Sequence, residues 1–389
     1  MIERDLTKKL KKVAREFPVV TLTGPRQSGK STLCKMTFPK HAYINLEAPD
    51  IRQFALRDPR GFLAEYKNGA VLDEIQRCPE IPSYLQVLVD EDKTKGKWIL
   101  TGSQNLTLLE SISQSLAGRT AILHLFPLTH NEILRFSEPP ETLDSLLLTG
   151  GFPRIYDEQL SPAEWLSSYV GTYLERDVRS VLKVADLVSF HRFIELCAGR
   201  TGQLLNLTSL ASDAGITQPT AKAWLGVLET CFLLFRLPPF FSNFRKRLIK
   251  MPKLYFYDTG LACWLLGIRD EKQLKTHPLR GAIFETWVIS EIIKHRTNQG
   301  LTGGVHFYRD RQGYEIDLLI EMTEGITALE VKAGQTVTPD ALEKSLQHSR
   351  SAEVIRPRRK VVVYGGTEDR QIRDVRILPW NNLIKEGWQ

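Results

Sequence analysis

The stretch that decides the fold is Val19-Val-Thr-Leu-Thr-Gly24-Pro25-Arg26-Gln27-Ser28-Gly29-Lys30-Ser31-Thr32. Its β-branched beginning predicts a buried strand, and the following residues match G-x-x-x-x-G-K-[S/T], the spacing of a phosphate-binding loop. Glycines let such a loop wrap around phosphates, and the start of the next helix supplies positive potential. We therefore expect Gly24 to Thr32 to bind a nucleotide, with Lys30 on the β- and γ-phosphates and Ser31 on Mg²⁺. An ordinary turn is the alternative.

Two acids follow another short apolar strand, in Ala70-Val-Leu-Asp73-Glu74. They would lie at the carboxyl edge of a parallel sheet, where open α/β sheets bind ligands. Asp73 is placed to hold Mg²⁺. Glu74 is placed to orient or deprotonate an attacking water, which favours hydrolysis over phosphoryl transfer to a substrate hydroxyl. The alternative is a pair of surface acids after a strand.

Two further polar positions fit a nucleotide site. Ser103 is the first choice, and Asn105 the second, for a side chain that touches the γ-phosphate or the water. These residues could equally cap the next helix. Arg119 precedes another strand and could project into a neighbouring subunit's nucleotide, where it would stabilise transition-state charge. A solvated surface arginine is equally compatible with its position.

The order of the patterns indicates the fold class. Strand candidates alternate with helical stretches at residues 19–23, 42–46, 70–72, 98–101 and 120–125. This alternation predicts an α/β fold, a parallel sheet with helices on both faces. Helical patterns then dominate to about residue 237. Strand patterns return at 305–308, 315–321, 326–331 and 361–364, with a helix predicted at 340–347.

The composition is that of a globular chain. Of its 389 residues, 42% are hydrophobic and 25% charged, and the net charge is +7, which permits nucleic-acid contact without demanding it. The five cysteines are widely spread and contain no C-x-x-C pair, which argues against a zinc ribbon or a disulfide framework. Apolar runs are too short to cross a bilayer, and the first residues lack a signal-peptide core. We expect a cytoplasmic protein without membrane contact.

Residues 206–229 predict a helix, a turn at Gly215 and a second helix, followed by a possible winged-helix hairpin. The second helix would offer four side chains to DNA: Gln218, Thr220, Lys222 and Trp224. The basic run at 245–247 would flank them. A module that serves only packing or assembly is the alternative.

The last third of the chain contains three acids and a lysine. Glu285 lies on an amphipathic helix, Asp317 heads an apolar strand, and Glu330 and Lys332 share one face of the next strand. This is similar to the PD-(D/E)xK nuclease pattern. Two strand carboxylates there hold Mg²⁺ or Mn²⁺ against a scissile phosphate, and the lysine orients the water.

We therefore expect a nuclease-like domain, with Asp317, Glu330 and Glu285 as ligands of a second metal ion and Lys332 as a catalytic lysine. The basic run at 356–360 could contact phosphates or be a solvated loop. A domain that holds DNA, or only assembles, without cutting is the alternative.

The chain resembles the bacterial and archaeal ATPases of the AAA-type (ASCE) P-loop class that carry a C-terminal domain of unknown function. The segments that carry the resemblance are residues 23–31, 72–76, 100–104, 116–119, 150–153, 173–177 and 254–261. The resemblance implies a central parallel sheet, ATP hydrolysis and, often, self-assembly into a homo-oligomer.

These inferences predict four segments: an ATPase core at 1–128, a helical lid or linker at 129–185, a winged-helix-like segment at 186–253 and a nuclease-like domain at 254–389. The expected function is Mg²⁺-dependent ATP hydrolysis that drives a change of conformation or assembly, with the last domain acting on or binding DNA. The alternative is an ATP-switched scaffold whose last domain binds a protein partner. A small-molecule phosphotransferase is a third possibility, which the adjacent acids Asp73 and Glu74 disfavour.

Overall fold

The computed structural model describes residues 1–103, 114–174, 186–240, 251–310, 313, 315–337 and 357–388, with only the backbone described at 103, 173 and 174. The chain divides into two compact units. The first comprises residues 1–128 with short segments at 230–232 and 298–300, and the second comprises the remainder. Within the described ranges, every helix is too short or too polar to span a bilayer.

The first unit alternates helices with parallel strands. Its helices are α1 (Thr7–Ala14), α2 (Lys30–Thr37), α3 (Pro49–Arg57), α4 (Pro59–Ala64) and α5 (Ile81–Glu91), with a 3₁₀ turn at Ile75–Arg77. Its strands are β1 (Val19–Gly24), β2 (Ala42–Asn45), β3 (Ala70–Asp73), β4 (Trp98–Ser103) and β5 (Thr120–His124). They form a parallel sheet in the order β2-β3-β4-β1-β5.

This sheet is apolar on both faces. Leu72 and Leu100 belong to one buried cluster, and Leu22 and Ile99 belong to another on the opposite face. Successive side chains of a strand point to opposite faces, so the nearly continuous apolar runs of β1 and β3 supply both layers. The predicted α/β fold with a parallel sheet is confirmed. The order brings the carboxyl ends of β3, β4 and β1 together at one edge.

The second unit begins with helices. They are α6 (His130–Ile133), α7 (Leu143–Thr149), α8 (Pro153–Asp157), α9 (Pro162–Tyr169), α10 (Leu187–Ala198), α11 (Leu207–Ala214) and α12 (Gln218–Thr230), with a π-helical turn at Val170–Leu174. An antiparallel pair, β6 (Leu234–Leu237) and β7 (Lys253–Phe256), follows. The next helices are α13 (Thr259–Leu265), α14 (Glu271–Thr276) and α15 (Arg280–Asn298).

Asp258 joins two segments that the sequence singled out. Its carboxylate accepts the Leu261 N–H at 2.8 Å, which caps α13, and the Gly151 N–H at 2.6 Å. A side chain at Gly150 would overlap this carboxylate. The Gly150–Gly151 pair and the acid at 258 therefore serve one structural contact.

The helix, turn and helix predicted at 206–229 are α11, a left-handed Gly215 and α12. Gln218 and Lys222 are exposed on α12. The prediction that Trp224 faces DNA is wrong, because its ring is buried edge-on against Phe190 and Phe193 of α10. The basic run at 245–247 lies outside the described residues. The winged-helix assignment stays a prediction.

The second unit ends in a mixed sheet of six strands in the order β12-β13-β11-β10-β9-β8. The strands are β8 (Val305–Arg309), β9 (Glu315–Met322), β10 (Gly325–Lys332), β11 (Arg359–Tyr364), β12 (Arg370–Ile372) and β13 (Val375–Pro379), followed by a 3₁₀ helix at Trp380–Lys385. The strands predicted at 305–308, 315–321, 326–331 and 361–364 are confirmed within a few residues. The helix predicted at 340–347 lies outside the described residues.

Candidate functional site

The loop between β1 and α2 has the geometry of a phosphate-binding loop. Gly24 has φ +154°, and a Cβ there would collide with the carbonyl oxygen of Leu125. Gly29 precedes the first residue of α2 with φ +90°. The buried guanidinium of Arg4 donates to the carbonyl oxygens of Ser28 at 2.7 Å and of Phe126 at 2.8 Å. Glycine therefore permits the turn, and Arg4 holds it in place.

Lys30 lies inside this loop. Its Nζ donates to the carbonyl oxygens of Pro25 at 2.7 Å and of Gly24 at 3.1 Å. Burial lowers the pKa of Lys30 to about 8, although Glu74 and Asp73 favour its charged form. The predicted phosphate-binding ammonium is thus held among the carbonyl oxygens of its own loop.

The carboxylate of Asp73 accepts hydrogen bonds from four donors among the described residues of the site. Its Oδ2 accepts the Ser31 hydroxyl at 2.6 Å and also the Tyr43 hydroxyl. Its Oδ1 accepts the Glu74 N–H at 3.1 Å and the Thr101 hydroxyl. The structure therefore brings together Ser31 and Asp73, the two residues predicted to hold Mg²⁺.

Glu74 follows Asp73 in an unusual backbone conformation, with φ +59° and ψ +43°. Such strain in a residue other than glycine is often found at functional sites. The side chain accepts a hydrogen bond from the carboxamide of Gln76. Burial raises the pKa of Glu74, against the opposing charges of Lys30 and Arg26. A raised pKa brings a carboxylate closer to the value of an efficient general base.

The two remaining predicted residues lie at different edges of the sheet. Ser103 ends β4 opposite Gly24 in the neighbouring β1, which places it at the edge of the phosphate loop. Its side chain and Asn105 lie outside the described residues. Arg119 precedes β5 at the amino ends of the strands, about 20 Å along the strand from the loop.

Arg119 forms a two-pronged ion pair within its own unit, from Nε to Asp90 Oδ1 at 2.7 Å and from Nη2 to Asp90 Oδ2 at 2.9 Å. Its side chain is 31% exposed. Arg119 lies at the amino ends of the strands, whereas the phosphate loop follows the carboxyl end of β1. Arg119 therefore does not contact the phosphate loop of its own chain. A role at a nucleotide is open to it only across a subunit boundary.

Sequence reasoning missed four groups at this site: Arg4, Tyr43, Gln76 and Thr101. Each acts through a contact with a residue of the predicted site. Gln76 and Thr101 lie in segments that carry the family resemblance but had no role assigned, and Arg4 and Tyr43 belong to no motif. The position of Tyr43 could have indicated its contact with Asp73. Tyr43 lies two residues before Asn45, and Asn45 pairs in register with Asp73 on the neighbouring strand. Tyr43 and Asn45 therefore face the same side of the sheet.

The C-terminal acids also converge. A cavity of about 460 Å³ is lined by Glu285, Asp317 and Lys332, together with Gly281, Val331, Ala333, Gly334 and Thr336. Lys332 Nζ contacts Glu330 Oε2 at 3.0 Å, and Asp317 Oδ2 accepts the Val331 N–H at 2.8 Å. Burial, reinforced by the charge of Asp317, raises the pKa of Glu285 and of Glu330.

The second metal ion expected here is not supported. Glu285 Oε1 already accepts the Tyr255 hydroxyl at 2.6 Å and the Lys253 ammonium at 3.0 Å. In the part of the chain that the structure describes, no three His, Cys, Asp or Glu side chains are arranged to hold a metal ion. The carboxylates meet, but Glu285 Oε1 and Asp317 Oδ2 are each engaged by protein donors.

The basic run at 356–360 is paired within its own unit where it is described. Arg358 contacts Glu324, Arg359 contacts Glu386, and Lys360 contacts Asp374 at 2.6 Å. Arg356 lies outside the described residues. Because each of the three described cations has a carboxylate partner, the run is a weaker candidate for phosphate contact than its sequence suggests.

Comparison with known proteins shows the family of the chain. The uncharacterized proteins Rv2008c of Mycobacterium tuberculosis and Mb2031c of Mycobacterium bovis are each 30% identical to it over 99% of this chain and 85% of their own length. The chain belongs to their family. Family models match residues 16–134 as an AAA domain, 140–272 as a domain of unknown function (DUF8612) and 280–383 as another (DUF4143).

A solved structure, the Walker-type ATPase PABY2304 of Pyrococcus abyssi, is 15% identical with a TM-score of 0.46, covering 67% of this chain and 94% of its own. The match at residues 16–134 supports an AAA-type ATPase, as the sequence predicts. The match at 280–383 names no function, so the comparison with nucleases stays a prediction.

The pKa of Lys30 predicts a pH dependence of nucleotide binding. A phosphate contact needs the ammonium form, which is populated below about pH 8 and is lost as the pH rises above it. ATP affinity should therefore fall by up to ~10-fold per pH unit above that value, because binding must first restore the proton.

Titration calorimetry from about pH 7.5 to about pH 9.5 would measure this slope. Lys30→Arg is the matched control, since arginine stays charged throughout and should lack the slope. An equally flat profile in both proteins would contradict the assignment of Lys30.

Proposed function

We propose that the chain binds ATP and hydrolyses it with Mg²⁺, and that its nucleotide state drives a change of conformation or assembly. The observation that carries the proposal is the Ser31–Asp73 hydrogen bond of 2.6 Å beside the phosphate loop, with Glu74 next to it. Hydroxyl and carboxylate oxygens are the donors that Mg²⁺ prefers, so this pair fits the ion. When bound, Mg²⁺ would neutralise charge that develops on the phosphates.

The protein groups around the ion have separate tasks. Lys30 would exchange its bonds to the Gly24 and Pro25 carbonyls for bonds to phosphate oxygens. The buried hydroxyl of Ser28, which has no hydrogen-bond partner among the described residues, would also be satisfied by a phosphate oxygen. Glu74 would accept the proton of the attacking water, with Gln76 fixing the direction of its carboxylate.

The same contacts support a nucleotide-driven switch. Lys30 and Ser31 bond to protein oxygens in the loop and on Asp73, and they would exchange these bonds for bonds to phosphate and metal. Asp73 also bonds to β2 through Tyr43 and to β4 through Thr101. A shift of the Asp73 carboxylate would therefore change contacts of β2 and β4 as well as of its own strand β3.

Glu74→Gln should separate binding from turnover. The amide keeps the shape of the side chain but accepts no proton, so ATP affinity should stay within about 2-fold while steady-state hydrolysis falls by ~10²–10⁴-fold. Glu80→Gln, at an exposed acid of the same unit, should leave hydrolysis unchanged. Equal turnover in Glu74→Gln and the parent chain would remove Glu74 from the mechanism.

Tyr43→Phe should weaken the response to Mg²⁺. The change deletes one hydroxyl that bonds Asp73 and keeps the ring, so the Mg²⁺ concentration for half-maximal hydrolysis should rise by ~10-fold. ATP binding measured without Mg²⁺ should not change. Tyr66→Phe is the control, because that ring packs on Phe62. An unchanged Mg²⁺ titration would show that Tyr43 does not position Asp73.

Arg119 should act on the nucleotide of a neighbouring subunit. Arg119→Ala should bind ATP normally and hydrolyse it ~10³-fold more slowly. Mixing it with Lys30→Ala should restore part of the activity through hybrid interfaces. Asp90→Asn, which loosens the ion pair and keeps the arginine, is the control and should remain active. A chain that stays monomeric with ATP and hydrolyses it at full rate would overturn this role.

DNA binding by the second unit is a second candidate function. It is favoured by the helix-turn-helix of α11 and α12, which leaves Gln218 and Lys222 exposed before a two-stranded antiparallel sheet. Lys222→Ala should weaken duplex binding and lower the slope of log affinity against log salt by ~1. Lys275→Ala, at an exposed lysine of α14, should do neither. Absence of duplex binding at low salt would favour the scaffold alternative.

A further inference from the structure

Lys253 is a buried cation that the proposed ATPase function does not use. It begins β7, and its side chain is only 3% exposed. Its Nζ contacts Glu285 Oε1 of α15 at 3.0 Å and also the carboxylate of Glu315 at the start of β9. The ammonium thus lies between acids of two separate elements.

The surroundings hold this ammonium in its charged form. Burial alone would lower the pKa of Lys253, but the carboxylates of Glu285, Asp317 and Glu315 raise it above its usual value. Burying a charge costs several kcal/mol unless it is paired with good geometry. Here the pairing is made by carboxylates that would otherwise repel one another, so lysine and acids stabilise each other.

This arrangement uses a Glu285 oxygen that a metal ion in the cavity could otherwise bind. Glu285 Oε1 is shared by Lys253 and by the Tyr255 hydroxyl, and Glu315 is shared by Lys253 and Arg309, whose Nη1 lies at 3.2 Å. A divalent ion bound to Asp317 and Glu285 would lie beside a fixed ammonium that is itself buried. Like charges repel strongly there.

We propose that the ammonium of Lys253, buried against Glu285 beside the C-terminal cavity, takes the place of a divalent metal ion at these acids. The cavity then excludes Mg²⁺ and Mn²⁺, and it does not support metal-dependent hydrolysis of a phosphodiester. The lysine comes from the strand before α15, outside the segment that carries the acids. The inference concerns this cavity alone and is independent of ATP hydrolysis.

Mn²⁺ binding tests the proposal directly. The whole chain is used without nucleotide and with Asp73→Asn, so that the ATP site loses its carboxylate ligand. Free Mn²⁺ is measured by electron paramagnetic resonance, and the heat of Mn²⁺ binding is measured by titration calorimetry. This parent should show no saturable Mn²⁺ site, whereas adding Lys253→Met should create one, because the competing charge is removed and the acids remain.

Two matched variants make the result specific. Asp317→Asn added to the Lys253→Met chain should abolish the new site, and Lys253→Arg, which keeps the charge, should behave as the parent does. Saturable Mn²⁺ binding by the parent that disappears with Asp317→Asn would overturn the proposal. Failure of a folded Lys253→Met chain to gain a site would overturn it as well.

A second measurement covers the case in which Lys253→Met does not fold. The melting temperature of the parent is recorded with and without millimolar Mn²⁺, next to the same pair for Asp317→Asn. The proposal predicts that Mn²⁺ shifts the melting temperature by the same small amount in both chains. A rise in melting temperature that occurs in the parent and not in Asp317→Asn would contradict it.

Discussion

The carboxylate of Asp73 accepts hydrogen bonds from Ser31, Tyr43 and Thr101, and these donors belong to a helix and to the two strands that flank its own. A buried carboxylate is costly unless donors surround it. The parallel order β2-β3-β4-β1 is what brings these donors to one edge. The phosphate loop, the expected metal ligands and the strained Glu74 are therefore all placed by one buried charge and the sheet around it.

The second unit shows the same principle with the signs exchanged. There a buried ammonium, Lys253, is surrounded by the carboxylates of Glu285 and Glu315. In the first unit the donors on the Asp73 carboxylate include the hydroxyls of Ser31, Tyr43 and Thr101, and the proposed Mg²⁺ would take over some of these neutral contacts. In the second, a lysine already supplies the positive charge. Under the two proposals, similar sets of acids in one chain would support a metal-dependent site in one place and a metal-free cavity in the other.

The sequence predicts what is local and misses what forms between distant segments. The loop from Gly24 to Thr32 and the pair Asp73–Glu74 could be found because spacing alone specifies them. The contact of Tyr43 with Asp73 depends on the order of the strands. The contact of Lys253 with Glu285 joins residues that are 32 positions apart. Trp224 was misplaced because helical spacing does not tell a buried aromatic from an exposed one. The run at Arg358 looked available for phosphate because its partner Glu324 is distant in sequence.

The central proposal is that Asp73 organises a site for Mg²⁺-dependent ATP hydrolysis. The most direct measurement is the rate of phosphate release by Asp73→Asn at saturating ATP and Mg²⁺, beside its ATP affinity. Asparagine keeps the size of the side chain and removes the charge. The account predicts that ATP still binds and that turnover falls by at least ~10²-fold, because the stabilisation of phosphate charge by the metal is lost. Turnover equal to that of the parent chain would contradict it.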